Sequence, residues 1–342
     1  MNNIKNDKLK FISYLYAIGT ILVVMGHSTP TNASYIPKIV DNIKAFIYCF
    51  HMPLFFFIAG FLFKYTTQKN KKPYLSFIKN KTIKFLTPYF VLSAIAIFPK
   101  ILMSEFVNDA VSFDWYYVFQ TIFNPRLNVW GHFWFLPTLL IIFTLSYLIN
   151  KCCSKKITNI VCLILTLALA VFPINTDWLA IKDICLELIY FCLGIGTCNY
   201  INNNKNRIFK TPIAVITMSI AVLIFVFISV TGYRWISLVQ NLSTVIIAML
   251  MIYTLLCFSM FLEKKGNGFL DYFDGKTFTI YILSWPCQAV IEILINRVLH
   301  LPWYITVICM FIVGLCIPLL FICVYKKFKH QPKFISLVFG VS

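Results

Sequence analysis

The sequence is short of charge. Only 12% of its 342 residues are Asp, Glu, Lys or Arg, where a soluble domain carries about a quarter. Acidic residues are the scarcer sign, 12 against 30 basic ones. The polar surface that covers a water-soluble fold is therefore missing. With 60% of residues apolar and a mean hydropathy of +0.80, disorder is excluded as well. The alternation of apolar and polar residues that marks a membrane β-barrel strand is also absent. The twelve cysteines form no CxxC pair, so neither a zinc site nor a redox pair is indicated. Most of them, such as Cys192, Cys257 and Cys309, sit inside apolar stretches as small buried hydrophobes. No Walker sequence and no GxGxxG occurs, so nothing points to nucleotide hydrolysis. No internal repeat and no interdomain linker is visible.

What is present is a series of continuous apolar stretches of about 20 residues, the length a spanning helix needs. They fall near 11–26, 43–63, 85–104, 132–150, 157–173, 181–201, 212–231, 237–262, 278–298 and 302–325. The predicted fold is an all-α polytopic membrane protein of about ten transmembrane helices, one domain over 1–342 with its core about 8–325. No small-residue cleavage site follows the first stretch, so it reads as a retained span.

The net charge of +18 is placed as a topology signal and not as a nucleic-acid surface. With a cytoplasmic N-terminus, the inner segments hold 23 of the 30 Lys and Arg residues, and the bias alternates correctly across all ten helices. Both termini are thus expected in the cytoplasm, and the chain as a multi-pass protein of the cytoplasmic membrane. The longest outer stretch, 105–131, carries Asp109, Asp114, Trp115 and Arg126. It is too long for a hairpin and is expected to fold over the outer face.

Three histidines stand out against this background. His27 ends the first span, His51 lies in the second, and His132 opens the fourth. In the proposed topology all three face outward, with His51 about 12 Å deep at 1.5 Å per residue. Matching depth suggests one polar pocket, and intramembrane ionisable groups are functional candidates by default. The plainer alternative is three interfacial histidines bonded to neighbouring helices. Their spacing includes no metal-ligand pair, so no metal is expected. Glu187 and Glu292 lie in the outer halves of spans six and nine. Either can orient an imidazole or hold a sugar hydroxyl; alternatively each is a packing ion pair, Glu292 for instance with Arg297. On the inner side Lys81 and Lys84 lie at i, i+3 before span three and share a helix face. They suit phosphate groups, or simply flank a membrane.

The segments that carry these residues resemble acyltransferase family 3, a family of integral membrane acyltransferases. ILVVMGHS at 21–28 resembles the end of its first helix, and FIYCFHMPLFFFIAGFLFK at 46–64 its second-helix signature. KTIKFLTPYF at 81–90, HFWFLPTLL at 132–140 and TIYILSWPCQAVIEI at 279–293 follow in the family's order. The resemblance implies transfer of an acyl group, usually acetyl, from acyl-coenzyme A to a hydroxyl of a cell-surface or exported carbohydrate. It implies no tightly bound cofactor, with acyl-coenzyme A as co-substrate, membrane lipid and a carbohydrate acceptor as partners, no nucleic acid, and the stand-alone form without a soluble esterase-like domain. The oligomeric state is not implied.

The family's first-helix histidine maps onto His27, and its basic pair onto Lys81 and Lys84. Its cation eleven positions before the histidine is Tyr16 here, and its nearby aspartate is Ser13. The expected roles are His27 as general base or transient acyl carrier, and His51 or Tyr89 as oxyanion donor. Lys81, Lys84 and Tyr16 are expected on the donor side, and His132, Glu187 and Glu292 as acceptor or orienting groups. Two other classes compete with this reading: a polysaccharide or lipid-linked glycan transporter, and a structural export component without chemistry. The transporter class usually shows inverted repeats and helices broken near the midplane, neither of which the sequence contains.

Overall fold

The computed structural model of the protein describes residues 9–31, 35–69, 73–102, 115–152, 156–208, 210–232, 237–328 and 330–341. Every regular element among them is helical. In chain order these are α1 (Lys10–His27), α2 (Lys38–Tyr48), α3 (His51–Lys69), α4 (Tyr74–Leu102), α5 (Trp115–Phe123), α6 (Phe135–Cys152) and α7 (Lys156–Val171). They continue with α8 (Ile181–Ile208), α9 (Thr211–Thr231), α10 (Ser237–Lys265), α11 (Gly268–Asp271), α12 (Thr277–Glu292), α13 (Trp303–Lys327) and α14 (Lys333–Phe339). Where they are described, the ten apolar stretches are almost wholly helical. By length and composition, six helical segments among the described residues can cross a membrane: Lys10–His27, Lys38–Lys69, Thr211–Thr231, Ser237–Lys265, Thr277–Asn296 and Trp303–Lys327. Gly131–Tyr147 and Ile160–Val171 are apolar but shorter.

The second expected span is two helices. The chain breaks at Cys49 and Phe50, whose amides bond the Phe46 and Ile47 carbonyls three residues back. Pro53 accounts for the position of the break. A proline ring clashes with the carbonyl four residues before it, here that of Cys49, yet is tolerated in a helix's first turn. His51 therefore stands at the start of α3, where an unbroken helix through 43–63 had placed it eight residues in. The fourth span also starts later than expected. His132 lies in a 3₁₀ turn, Gly131–Trp134, that leads into α6. Of the long stretch at 105–131, Asp109 and Asp114 lie outside the described residues, as does the side chain of Arg297. The described part forms α5 and a 3₁₀ turn at Pro125–Leu127.

α1 is a central helix, packed by α3, α10, α12 and α13. Phe11, Tyr14, Leu15, Ala17 and Val24 on it are fully buried. α9 and α13 lie on the outside and leave Leu223, Val230, Ile308 and Leu320 exposed, as helices facing lipid do. The most extensive helix pair is α3 with α8. The two run the same way: His51 and Glu187 line one cavity at one end, and Lys64 lies within electrostatic reach of Cys198 toward the other. Their crossing is backbone on backbone. A Cβ on Gly60 would lie 2.0 Å from the Phe191 carbonyl oxygen, and one on Gly194 2.1 Å from that of Phe57. Small residues at such crossings are how membrane helices gain close packing, since lipid supplies no hydrophobic drive between them.

This contact is directly testable. Gly60→Ala and Gly194→Ala each force the helices apart, and overpacking of this kind costs about 1–3 kcal/mol or more. Both should lower the thermal unfolding midpoint of the purified protein in detergent. Gly196→Ala, where no atom lies within 4 Å of the added Cβ, should leave it in place. Equal midpoints for all three would remove the crossing as a determinant of the fold.

Candidate active site

The end of α1 is held by side chains of α12. Helices leave their last carbonyls without intrahelical partners. Here Ser28 Oγ donates to the Val24 carbonyl at 2.7 Å, and Gln288 Nε2 donates to the same carbonyl at 2.8 Å and to Ser28 Oγ at 2.9 Å. One turn along α12, the Glu292 carboxylate accepts from the backbone N–H and the hydroxyl of Thr31, at 2.5 and 2.8 Å. Glu292 is thus bound to the chain that leaves His27.

His27 faces a cavity of about 460 Å³ that His51, His132 and Glu187 also line. α1, α3, α8 and the turn before α6 each contribute one of these groups. A hydrogen bond to a backbone carbonyl assigns the tautomer of His51. His51 Nδ1 lies 3.0 Å from the Ile47 carbonyl. A carbonyl only accepts, so Nδ1 carries the proton and Nε2 the lone pair. The Tyr48 hydroxyl lies 3.2 Å from the Gly26 carbonyl and 3.3 Å from His27 Nδ1. When its proton lies on the Gly26 carbonyl, it accepts from Nδ1–H, and Nε2 of His27 holds the lone pair. Tyr48 also packs between the two rings, its centroid 5.7 Å from His27 and 4.9 Å from His51.

His132 sits among aromatic rings, with Tyr281 at 5.4 Å and Trp285 at 5.5 Å. Tyr281 donates to its backbone carbonyl at 2.6 Å. The ring nitrogens of His132 are buried, with the Ile282 backbone as a polar neighbour. Glu187 is 8% exposed, and one of its carboxylate oxygens has no partner. One turn earlier on α8, Asp183 takes the Arg126 guanidinium, with Nη2 at 2.5 Å and Nε at 3.0 and 3.1 Å. Arg126 lies 4.3 Å over the Trp134 ring and lines the cavity. Among the described residues no three His, Cys, Asp or Glu side chains approach closely enough to hold a metal ion.

The remaining expected residues stand apart from this cavity. Tyr16 faces the Phe55 ring at 5.9 Å, three turns of α1, about 16 Å, from His27. Lys81 and Lys84 share a face of α4 but reach different neighbours. Lys81 lies over Phe143 of α6 at 4.2 Å, Lys84 beside Phe278 of α12 at 5.3 Å. Ser13 donates to the Asp274 carboxylate at 2.8 Å, so a carboxylate from the turn before α12 stands beside the position where the family's aspartate is missing. Tyr89 is buried and donates to the Thr121 carbonyl at 2.5 Å, which commits it to the α4–α5 contact. Sequence reading had not singled out Tyr48, Arg126, Asp183, Tyr190, Tyr281 or Gln288 as site residues. The available signals were weak: Tyr48 is one turn before His51, and Arg126 is a rare arginine in an otherwise outer segment.

The Arg126–Asp183 pair carries its own test. Asp183 is 1% exposed while the arginine side chain is 45% exposed. Arg126→Ala leaves a buried carboxylate without this cation, which costs more than the roughly 0–1 kcal/mol of an exposed pair. Arg126→Ala/Asp183→Ala removes both charges. Thermal unfolding in detergent should find the double variant more stable than Arg126→Ala alone; a less stable double variant would show that the two do not act as a pair.

No curated protein and no solved structure shows a significant match to the chain. A family model for the acyltransferase domain of acyltransferase family 3 matches residues 9–323. That match runs from α1 into α13 and hence includes every group around the histidine cavity. On this match, and on its apolar helices, the chain belongs to acyltransferase family 3 and is a multi-pass membrane acyltransferase.

Proposed function

We propose that the protein transfers an acyl group, acetyl as is usual in the family, from acyl-coenzyme A to a hydroxyl of a cell-surface or exported carbohydrate. The observation that carries this reading is the single cavity that gathers His27, His51, His132 and Glu187 in a chain of this family. A sugar hydroxyl is a weak nucleophile, and a positioned imidazole base contributes typically about 10²–10⁴-fold. His27 Nε2 takes the hydroxyl proton as the oxygen attacks the thioester carbonyl. The carbon–sulfur bond then breaks, and the coenzyme A thiolate leaves with the proton that His27 returns.

His51, with its proton on the Ile47 carbonyl, offers a lone pair and suits orientation of the acceptor hydroxyl. Of the three tyrosines on the cavity wall, Tyr48 and Tyr281 donate to the Gly26 and His132 carbonyls. Tyr190 is the hydroxyl we assign to the developing oxyanion. Glu187 and His132 hold acceptor hydroxyls. Glu292 acts as an orienting group through Thr31 and the exit of α1. The donor's phosphates sit at Lys81 and Lys84, with Tyr16 along its path. Lysine keeps the charge of the family's arginines without their bidentate fork.

In the membrane we assign ten spans with both termini cytoplasmic, supported by the distribution of 23 of 30 basic residues. Reporter fusions after Lys69 and Lys205 should then read as cytoplasmic, and fusions after Asp109 and Arg234 as external. An external reading at Lys69 reverses the orientation and puts the histidine cavity on the wrong face for an exported acceptor.

The chemistry is tested by mass spectrometry of surface glycans from cells with the gene, without it, and with variants. Loss of the gene should remove an acyl mass from the glycans. His27→Ala should lower transfer by about 10²–10⁴-fold with normal insertion. His300→Ala, at an exposed residue in the turn before α13, should leave it intact. His27→Gln can replace a hydrogen bond but cannot take a proton at neutral pH, so substantial activity in that variant removes His27 as base.

A further inference from the structure

A second chamber of about 320 Å³ lies beside the histidine cavity, between α2, α9 and α10. The two share a wall, because Tyr48, Cys49, Gln240 and Thr244 line both. Nothing in the acyl transfer as derived above uses this space. Its size is informative. A cavity of about 150 Å³ accepts benzene, so one roughly twice as large takes a ring compound of about twelve heavy atoms, the content of one hexose residue. An acetyl group leaves most of it empty.

The lining is chemically mixed, and no charged side chain lies among its described residues. Ala45, Phe225, Ile228 and Ile247 present apolar surface, while Ser229, Ser243, Thr244 and Gln240 present hydroxyl and carboxamide groups. Ser243 is satisfied locally, donating to the Gln240 carbonyl at 2.9 Å. Ser229 is not: its hydroxyl oxygen is buried with no hydrogen-bond partner. An unpaired buried hydroxyl is unfavourable until something supplies a partner. A plain acyl chain leaves it unpaired. A phosphate or carboxylate meets no cation among the described lining residues. A sugar ring, with hydroxyls at its edge and an apolar face, matches both kinds of surface.

We propose that this chamber is a second acceptor subsite, which holds the sugar residue next to the one acylated in the histidine cavity. The proposal rests on the carbohydrate-acceptor reading and makes it narrower. The preferred substrate is a chain of at least two sugars, and Tyr48 and Thr244 mark the junction where the glycosidic link passes from one chamber to the other.

The probe is surface polysaccharide from cells lacking the gene, cut by mild acid and separated into mono-, di- and tetrasaccharides. Full-length protein in lipid nanodiscs is given each fraction with radiolabelled acetyl-coenzyme A. The expected KM for the disaccharide is at least tenfold below that for the monosaccharide. Ala45→Phe fills the chamber from α2 and should raise the disaccharide KM to the monosaccharide value. Ser229→Ala should raise it about three- to tenfold. Transfer to the monosaccharide, which reaches only the histidine cavity, reports that the variants are folded; should Ala45→Phe lose it, the smaller Ser229→Ala decides. Equal KM values for the two lengths in the wild type, or an unchanged preference in the folded variants, overturn the subsite while acyl transfer stands. Label entering none of the fractions overturns the carbohydrate reading, and the subsite with it.

Discussion

Two glycines without side chains hold α3 and α8 at backbone contact, and much of the cavity's geometry follows from that contact. Gly60 meets Phe191, and Gly194 meets Phe57 and Phe61. With the helices running in the same direction, depth can be counted from the crossing. His51 is nine residues before Gly60, and Glu187 seven before Gly194, which places them about 14 and 11 Å up their helices from one shared point. An imidazole and a carboxylate thus reach one level on adjacent helices without any bond between them. Alanine at either position would move one helix relative to the other, and the mismatch would be carried to both side chains.

The third helix is tied to the same level by polar bonds. α1 has no glycine contact of that closeness near its end. Its terminal carbonyls are instead taken by Ser28 and Gln288, and the following chain by Glu292. Such bonds suit this position, because backbone groups freed at a helix end have few other partners where water is scarce. The division of labour is physical. Apolar close packing sets the depth of His51 and Glu187, and a short polar network fixes where α1 stops and hence where His27 stands. Tyr48 then joins the two systems, since it belongs to α2 yet touches both imidazoles.

How much of this could be read from the sequence divides along the same line. Features that depend on local order were legible: the apolar stretches are almost wholly helical where they are described, and His27, His51, His132 and Glu187 were singled out and share one cavity. Features that depend on contacts distant in sequence were not. Glu292 binds Thr31, 261 positions away, a partner that no local pattern names; the side chain of Arg297 lies outside the described residues. Asp183 and Arg126 are 57 positions apart, and neither has a neighbour that announces the other. The break at Cys49 lay between the two cases. Pro53 marked it in principle, yet an apolar run with one proline near its end reads equally well as a continuous span.

That break shapes the site more than its length suggests. A continuous helix through residues 43–63 would keep Tyr48, Cys49 and His51 in register on a single cylinder, about 100° apart per residue. With the chain turned at Cys49 and Phe50, Tyr48 and Cys49 instead form a partition between the histidine cavity and the chamber beside α9 and α10. The first turn of α3 also bonds back to α2, through the proton His51 gives to Ile47. The same bond leaves the Nε2 lone pair of His51 available to a bound hydroxyl. One proline thus sets three things together: the position of an imidazole, its tautomer, and the wall that separates the two cavities.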